Sequence, residues 1–305
     1  MKTIAIVGSG ALGLYYGGRL ARAGFEVAFL ARTELADLRA NGVTVVYPED
    51  RYTLKPVRAF ADPRGIGPVD LVVIGLKATA NHALSTLLPP LLGPETAVLN
   101  LQNGLGVDEQ VAPVAGAGRT LGGLCFVCVN RTAPGTAECT LPGYVVIGEF
   151  AGEATGRTHA VQDVFARAGI KVRIASSLLG ARWHKLVWNV PFNGLSVAEG
   201  GMTTDIILAD PQREARVWAL MREVQAIAAA EGVAIDDGFL VDQVEKTRPM
   251  GPYKPSTMVD YLAGRPLELE PIWGEPLRRA RLLGVQTPEL TRLHGELLMR
   301  DSARG

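Results

Sequence analysis

The chain opens with Lys2-Thr3-Ile4-Ala5-Ile6-Val7-Gly8-Ser9-Gly10-Ala11-Leu12-Gly13, an apolar run that leads directly into a Gly-x-Gly-x-x-Gly turn. This pattern predicts a strand, a tight turn and a helix over residues 11–23 that Gly24 ends. In such a turn the first glycine permits the bend, the second leaves room for a pyrophosphate, and the third lets helix and strand pack closely. The helix N-terminus adds unpaired N–H groups and the positive end of its dipole.

A second apolar run at residues 25–30 completes a βαβ unit. The full context therefore predicts that a dinucleotide binds at the turn, although a turn that binds nothing remains the alternative. The predicted contacts are Gly8, Ser9, Gly10, Ala11, Leu12 and Gly13.

The end of the second predicted strand bears on which dinucleotide is bound. An acidic residue about 20 residues after the glycines would hold the ribose 2′-hydroxyl of NAD. Here the strand leads into Arg32, and its only acid, Glu26, stands at the opposite end. Because a guanidinium can fork onto a phosphate, we predict NADPH/NADP+ with Arg32 on the 2′-phosphate. An ordinary solvated arginine is the alternative for Arg32, and Glu34 leaves NAD open.

Composition excludes several classes of function. The chain has 305 residues, 31 Lys and Arg against 31 Asp and Glu, and 48% hydrophobic residues. Balanced charge gives no reason to expect nucleic acid or a membrane surface as partner. No apolar run of about 18 residues predicts a membrane span, and a strand at the very start predicts no signal peptide. We therefore expect a cytoplasmic protein with a well-filled core.

Cys125 and Cys128 form a Cys-x-x-Cys pair, which invites a zinc or redox interpretation. A structural zinc site needs four ligands, and the sequence has no second pair, so we predict no metal. The segment around the pair is apolar and strand-like, which would direct the two thiols to opposite faces. Buried, reduced cysteines are therefore expected.

Strand and helix patterns alternate up to about residue 148 and predict an α/β fold with a doubly wound, Rossmann-type sheet. Residues 70–76 form a continuous apolar run typical of a buried parallel strand. Residues 121–129 and 137–147 predict two late antiparallel strands that form an edge of the sheet. We assign residues 1–177 to an NADP-binding domain.

Helical periodicity replaces the strand patterns after about Ser177. Asp210-Pro211 predicts an N-cap and first helical residue, and Gly232 predicts the end of that helix. Residues 178–305 are therefore predicted to form a C-terminal all-helical domain that carries substrate and catalytic groups. Two domains beside a dinucleotide fold make a cleft, in which a second substrate is expected to bind. The predicted apolar face of the Asp210 helix consists of Val217, Leu220, Met221, Val224 and Ile227.

The segment 182–193 places Lys185, Asn189 and Asn193 at i, i+4 and i+8, so they share one helix face. Apolar neighbours lower the pKa of a lysine ammonium, so it gives up its proton more easily, which suits a proton donor. A solvated polar stripe on an amphipathic helix remains the alternative.

Several separated pieces resemble the ketopantoate reductase (2-dehydropantoate 2-reductase) family, in the family's order and over most of the chain. The specific part is Lys-x-x-x-Asn-x-x-x-Asn followed by a Ser and a Glu twelve residues apart. The pieces are residues 8–13, Ala31-Arg32, Leu76-Lys77-Ala78, residues 102–106, residues 183–193, residues 255–260 and residues 264–268.

The resemblance implies a role for each matching position. Lys185 would donate the proton to the substrate carbonyl oxygen, and Lys77 would contact the cofactor. Glu268 would lie near the nicotinamide end and place cofactor and substrate, as a catalytic and cofactor-binding residue. The implied substrate contacts are Asn103, which also lies against the cofactor, Lys185, Asn189, Asn193 and Ser256.

Plainer interpretations of these residues remain open. Ser256 could be a helix N-cap, Glu268 a surface acid opposite Arg265, and Asn103-Gly104 a turn. Pro191 and Trp273 depart from the family pattern, and a proline within the helix could re-aim Asn193. These departures bear on the exact substrate more than on the type of reaction.

The resemblance implies an NADP-dependent reductase that converts the 2-oxo acid 2-dehydropantoate to (R)-pantoate in pantothenate synthesis. One alternative is a related reductase of another 2-oxo or 3-hydroxy acid, similar to the β-hydroxyacid dehydrogenases. Another is a non-catalytic NADP-binding sensor. A homodimer remains open as an oligomeric state.

Overall fold

The computed structural model describes residues 1–303, which form two compact units. The first comprises residues 1–103 and 107–178, and the second comprises residues 104–106 and 179–303. The last two residues of the predicted range 178–305 lie outside the described residues.

The strands are β1 (Thr3–Val7), β2 (Glu26–Leu30), β3 (Val43–Val46), β4 (Arg51–Leu54), β5 (Arg58–Phe60), β6 (Val69–Ile74), β7 (Leu92–Asn100), β8 (Thr120–Ala133), β9 (Thr136–Glu149) and β10 (Val172–Ile174). The helices are α1 (Ala11–Arg22), α2 (Leu35–Asn41), α3 (Leu84–Leu87), α4 (Val107–Ala115), α5 (Gly156–Arg167), α6 (Leu178–Ala198), α7 (Thr204–Ala209), α8 (Pro211–Ala230), α9 (Asp237–Thr247), α10 (Ser256–Leu262), α11 (Glu275–Leu283) and α12 (Pro288–Ser302).

The first unit contains one mixed sheet with the strand order β4-β3-β9-β8-β7-β6-β1-β2-β5, and β10 pairs with β9. From β5 through β1 to β8 all neighbouring strands are parallel, which is the order of a Rossmann-type sheet. The pairing of Ile6 with Phe29 on β2 and with Val73 on β6 places β1 between these two strands, inside the parallel part of the sheet. The predicted fold class, a doubly wound sheet followed by a helical region, is confirmed.

Side chains of β1 alternate between two apolar layers. Ile4 and Ile6 belong to the layer that includes α1 and α5, whereas Ala5 and Val7 belong to the layer that includes α3 and α4. All four are fully buried, as expected for a central parallel strand covered by helices on both faces.

The predicted antiparallel edge is wrong in one respect. β8 and β9 are antiparallel as expected, but β9 is not an edge strand. β3 pairs in parallel with β9 through Val45 and Ala137, and β4 then forms the edge of this part of the sheet. The pairing joins residues about 90 positions apart, so no local pattern indicated it.

The second unit is helical around its own core. Asp210 caps α8 as predicted, because its carboxylate accepts the backbone N–H groups of Gln212 and Arg213. Gly232 follows the helix with a φ of +79°. Every residue of the predicted apolar face is fully buried, namely Val217, Leu220, Met221, Val224 and Ile227.

The cysteine predictions need a correction. All three cysteines are free thiols, but Cys125 and Cys128 are half-buried and only Cys139 is buried. Register shifts interrupt the β8–β9 ladder on both sides of Cys128. Because a bulge breaks the two-residue alternation, the opposite-face argument does not hold there.

No helix within residues 1–303 has the length and apolar character that crossing a membrane requires. In the same residues, no cluster of three or more His, Cys, Asp or Glu side chains is arranged to hold a metal ion.

Candidate active site

The glycine turn links β1 to α1 with the backbone geometry that the motif requires. Gly8 has a φ of +104°, and a Cβ there would lie 2.7 Å from the backbone nitrogen of Leu76. A Cβ on Gly13 would overlap the carbonyl oxygen of Gly8 and lie 3.0 Å from Ile6. Both positions therefore exclude any larger residue for reasons internal to the protein.

Gly10 differs from its two neighbours in the motif. Among the described residues, a Cβ at Gly10 would have only the carbonyl oxygen of Gly75 within 4 Å, at 3.9 Å. The internal packing therefore does not demand a glycine, and the bare backbone leaves open space in front of the start of α1. Within residues 1–303 no side chain caps α1, and the first turn of α1 carries no acid, so the helix N-terminus suits an anion. This arrangement fits a dinucleotide pyrophosphate.

The region after β2 contains the two residues that bear on the choice of dinucleotide. Arg32 is exposed to solvent. Glu34 is only 8% exposed and forms an ion pair with Arg131 of β8. Its second carboxylate oxygen accepts the backbone N–H of Gly135 at 3.3 Å. Glu34, whose carboxylate kept NAD as an alternative cofactor in the sequence, is therefore bound by the β8–β9 hairpin.

A buried amide network connects the segments that follow β6 and β7. Gln102 donates through its side-chain nitrogen to the carbonyl oxygen of Leu76 at 3.1 Å and to the side-chain oxygen of Asn81. Asn100 donates to Asp108 at 2.9 Å within the same network. No sequence pattern indicated Gln102 as a site residue, although it bonds to Leu76, the residue that precedes Lys77.

The predicted cofactor contacts Lys77 and Asn103 each follow a residue of this network in the chain. Lys77 is exposed and precedes a short 3₁₀ helix, and Asn103 is half-buried beside Gln102. The chain then bends at Gly104, whose φ is +88°, and Leu105 donates its backbone N–H to Pro271 at 2.8 Å. The chain therefore bends immediately after Asn103.

The predicted polar face lies on α6, within the second unit. Lys185 is half-buried, Asn189 is 5% exposed and Asn193 is 1% exposed. Two asparagines at this depth do not fit a solvated stripe, because buried amides need specific hydrogen-bond partners. The helix runs on past Pro191 to Ala198, so the proline does not end it.

Asn193 is held by the segment that begins α10. Its Oδ1 atom accepts the backbone N–H of Thr257 at 3.0 Å and the hydroxyl of Ser256 at 3.3 Å. The structure therefore brings two of the predicted substrate contacts together, although they are 63 positions apart. The alternative role of Ser256 as an N-cap is wrong, since Pro255 is the cap residue and Ser256 is the first residue of the helix.

Glu268 and Trp273 lie in the connection between α10 and α11. Glu268 is half-buried between Leu267 and Leu269, which are both buried. Trp273 is fully buried and donates from Nε1 to the carbonyl oxygen of Val190 at 3.0 Å. The tryptophan that departs from the family pattern is thus a packing residue against α6.

Two family models match the chain. "Ketopantoate reductase PanE/ApbA" matches residues 4–152, and "Ketopantoate reductase PanE/ApbA C terminal" matches residues 177–300. A 2-dehydropantoate 2-reductase of Nostoc sp. is 39% identical, over 98% of this chain and 95% of the relative.

Solved structures agree with these matches. A 2-dehydropantoate 2-reductase from Geobacter metallireducens is 41% identical, with a TM-score of 0.94 over 97% of this chain and 99% of the other. A D-mandelate dehydrogenase, solved with NADH and anilino(oxo)acetate, has a TM-score of 0.89 over 99% of both chains but 19% identity, so it shows the fold alone. Matches to both halves of the sequence, with a relative of this identity, are decisive. The chain belongs to the ketopantoate reductase family and is an oxidoreductase that acts on a CH–OH group.

Proposed function

We propose that this protein uses NADPH to reduce 2-dehydropantoate to (R)-pantoate, a step of pantothenate synthesis, with Lys185 as proton donor. The observation that carries the proposal is the face of α6, where a half-buried ammonium stands in line with two buried amides. Relatives that match nearly the whole chain are named for this reaction.

The first unit would hold the cofactor. Gly8 and Gly13 close the turn, and Gly10 leaves the start of α1 open to the pyrophosphate. Exposed Arg32 would fork onto the 2′-phosphate, while Lys77 and Asn103 would meet the cofactor at the ends of β6 and β7. When bound, the nicotinamide supplies the hydride.

The second unit would hold the 2-oxo acid. Asn189, Asn193 and Ser256 would supply neutral donors and acceptors to the carboxylate and hydroxyl of the substrate. Their positions are set in advance, because Asn193 is already bonded to the first turn of α10. Glu268 would help to place cofactor and substrate together.

Lys185 would act on the carbonyl oxygen. Negative charge grows on that oxygen during reduction, and an ammonium stabilises it and then delivers a proton. A half-buried position favours this role, since charge interactions strengthen where water is reduced.

The test is a Lys185→Ala variant assayed by loss of NADPH absorbance with 2-dehydropantoate. We expect kcat to fall by about 10²- to 10⁴-fold while the Kd for NADPH stays within about twofold. Lys246→Ala is the control, since Lys246 is an exposed lysine of α9 that pairs with Asp242. A kcat for Lys185→Ala within about threefold of wild type contradicts the proposed role.

The same assay separates the rival functions. A panel of 2-oxo and 3-hydroxy acids tests for a related reductase, and repetition with NADH tests the cofactor. Tight NADPH binding without turnover of any acid in the panel would instead support a sensor.

A further inference from the structure

Glu34 is the acidic residue that follows β2. Between Glu26 and Asp37, Glu34 is the only acidic residue, and it stands two positions after Arg32. A carboxylate in this part of a Rossmann-type unit accepts hydrogen bonds from the 2′-hydroxyl of NAD and repels a 2′-phosphate. Glu34 therefore works against NADP if it is free to turn toward the nucleotide.

Both oxygens of Glu34 are bound by the β8–β9 hairpin. Arg131 forms an ion pair with Oε1, and the backbone N–H of Gly135, in the hairpin turn, donates to Oε2 at 3.3 Å. The side chain of Glu34 is 10% exposed, whereas that of Arg131 is 43% exposed. The hairpin thus neutralises the carboxylate and directs it into the protein.

We propose that Arg131 is a specificity-determining residue for the cofactor, because it holds Glu34 away from the nucleotide and cancels its charge. Arg131 acts through Glu34, so it is a positioning residue and need not touch the phosphate itself. The inference rests on the proposed use of NADPH.

Loss of the Arg131 guanidinium should shift the cofactor preference toward NAD+. A carboxylate without its partner is costly to bury, so Glu34 would turn outward to water. There it would repel the 2′-phosphate, which carries nearly two negative charges, and could accept a bond from a 2′-hydroxyl. We expect the ratio of NAD+ to NADP+ dissociation constants to fall by about five- to twentyfold in favour of NAD+.

The experiment measures Kd for NADP+ and NAD+ by titration calorimetry on the full-length protein. Arg131→Ala and Arg131→Gln should both lower the preference for NADP+, and Gln keeps most of the side-chain stem if Ala perturbs the hairpin. Glu34→Gln should keep the preference, because the amide carries no charge. The double variant Glu34→Gln/Arg131→Ala should recover it.

Arg22→Ala is the matched control. Arg22 forms an ion pair with Asp50 elsewhere on the first unit, and its side chain is 51% exposed, close to that of Arg131. Loss of this pair should leave the ratio of the two dissociation constants unchanged.

The outcomes distinguish the possibilities. An unchanged ratio in both Arg131 variants overturns the inference. Failure of the double variant to recover the preference also overturns it, since Arg131 would then contact the phosphate directly. A wild-type protein that binds NAD+ as well as NADP+ contradicts the proposed cofactor itself, whatever the variants do.

Discussion

The Oδ1 atom of Asn193 accepts the backbone N–H of Thr257 at 3.0 Å, with both residues buried. One side chain of α6 therefore binds the first turn of α10, at the point where Ser256 presents its hydroxyl to the same oxygen. Asn193 therefore stabilises the contact between α6 and α10, in addition to its proposed contact with substrate.

Asn193→Ala should therefore affect both stability and catalysis. The buried N–H of Thr257 would lose its acceptor, which costs about 1–3 kcal/mol of unfolding free energy. Ser256→Ala is the comparison, because Ser256 is an exposed residue and loss of its hydroxyl should cost less than about 0.5 kcal/mol. Urea unfolding measures the first effect, and KM for 2-dehydropantoate should rise in both variants. Equal stability of the two variants would contradict a contribution of the Asn193–Thr257 hydrogen bond to the free energy of unfolding.

Gly10 and Gly13 should respond differently to alanine. Gly13→Ala places a methyl group onto the carbonyl oxygen of Gly8, so we expect a loss of about 3 kcal/mol or more, or no folded protein. The added methyl group of Gly10→Ala meets one atom of the described residues, 3.9 Å away, so this variant should melt within a few degrees of wild type. Its Kd for NADP+ should nevertheless rise at least about tenfold, because the methyl group occupies space meant for the pyrophosphate. Unaltered binding by a folded Gly10→Ala protein would argue against a cofactor at this turn.

Gly194→Ala should destabilise the second unit although alanine is the better helix former. A Cβ at Gly194 would lie 2.6 Å from Leu293 and 3.0 Å from Nε1 of Trp273. Overpacking of this kind costs up to about 3 kcal/mol, which exceeds the ~1 kcal/mol that alanine gains over glycine in a helix. Gly295→Ala in α12 is the control and should stabilise, since a Cβ there has no atom of the described part of the chain within 4 Å. Thermal unfolding of the pair gives shifts of opposite sign if the close packing is correct.

Asp70 should make the stability of the protein depend on acid pH. Backbone N–H groups of Thr3 and then Lys2 hold the pKa of Asp70 below its ordinary value. A carboxyl with a lowered folded-state pKa contributes stability that is fully present above its unfolded-state pKa and is lost as pH falls through its folded-state pKa.

Asp70→Asn should therefore lower stability at neutral pH and reduce the loss of stability between about pH 5 and pH 2. Urea midpoints across that range measure the effect. Asp163→Asn, on the exposed side of α5, is the control for removal of one carboxylate. A pH slope for Asp70→Asn as steep as wild type would contradict the role of the two N–H donors.

Local patterns were sufficient for much of the fold. The glycine turn, the apolar runs of β1 and β6, and the Asp210 cap of α8 each depend on residues close together in the chain. The spacing of Lys185, Asn189 and Asn193 likewise predicted a shared helix face without any knowledge of packing.

Other features depend on pairs of residues that are distant in sequence. The chain's own order of residues determined the βαβ unit, the helical second half and the identity of the candidate side chains, because hydrogen bonding and side-chain periodicity within a helix or strand are short-range. Folding alone decided that β3 joins β9, that Arg131 binds Glu34 and that Asn193 binds Thr257. Each of these contacts depends on packing, charge or a buried hydrogen bond between two segments that are distant in sequence. A pattern within one segment therefore cannot predict them.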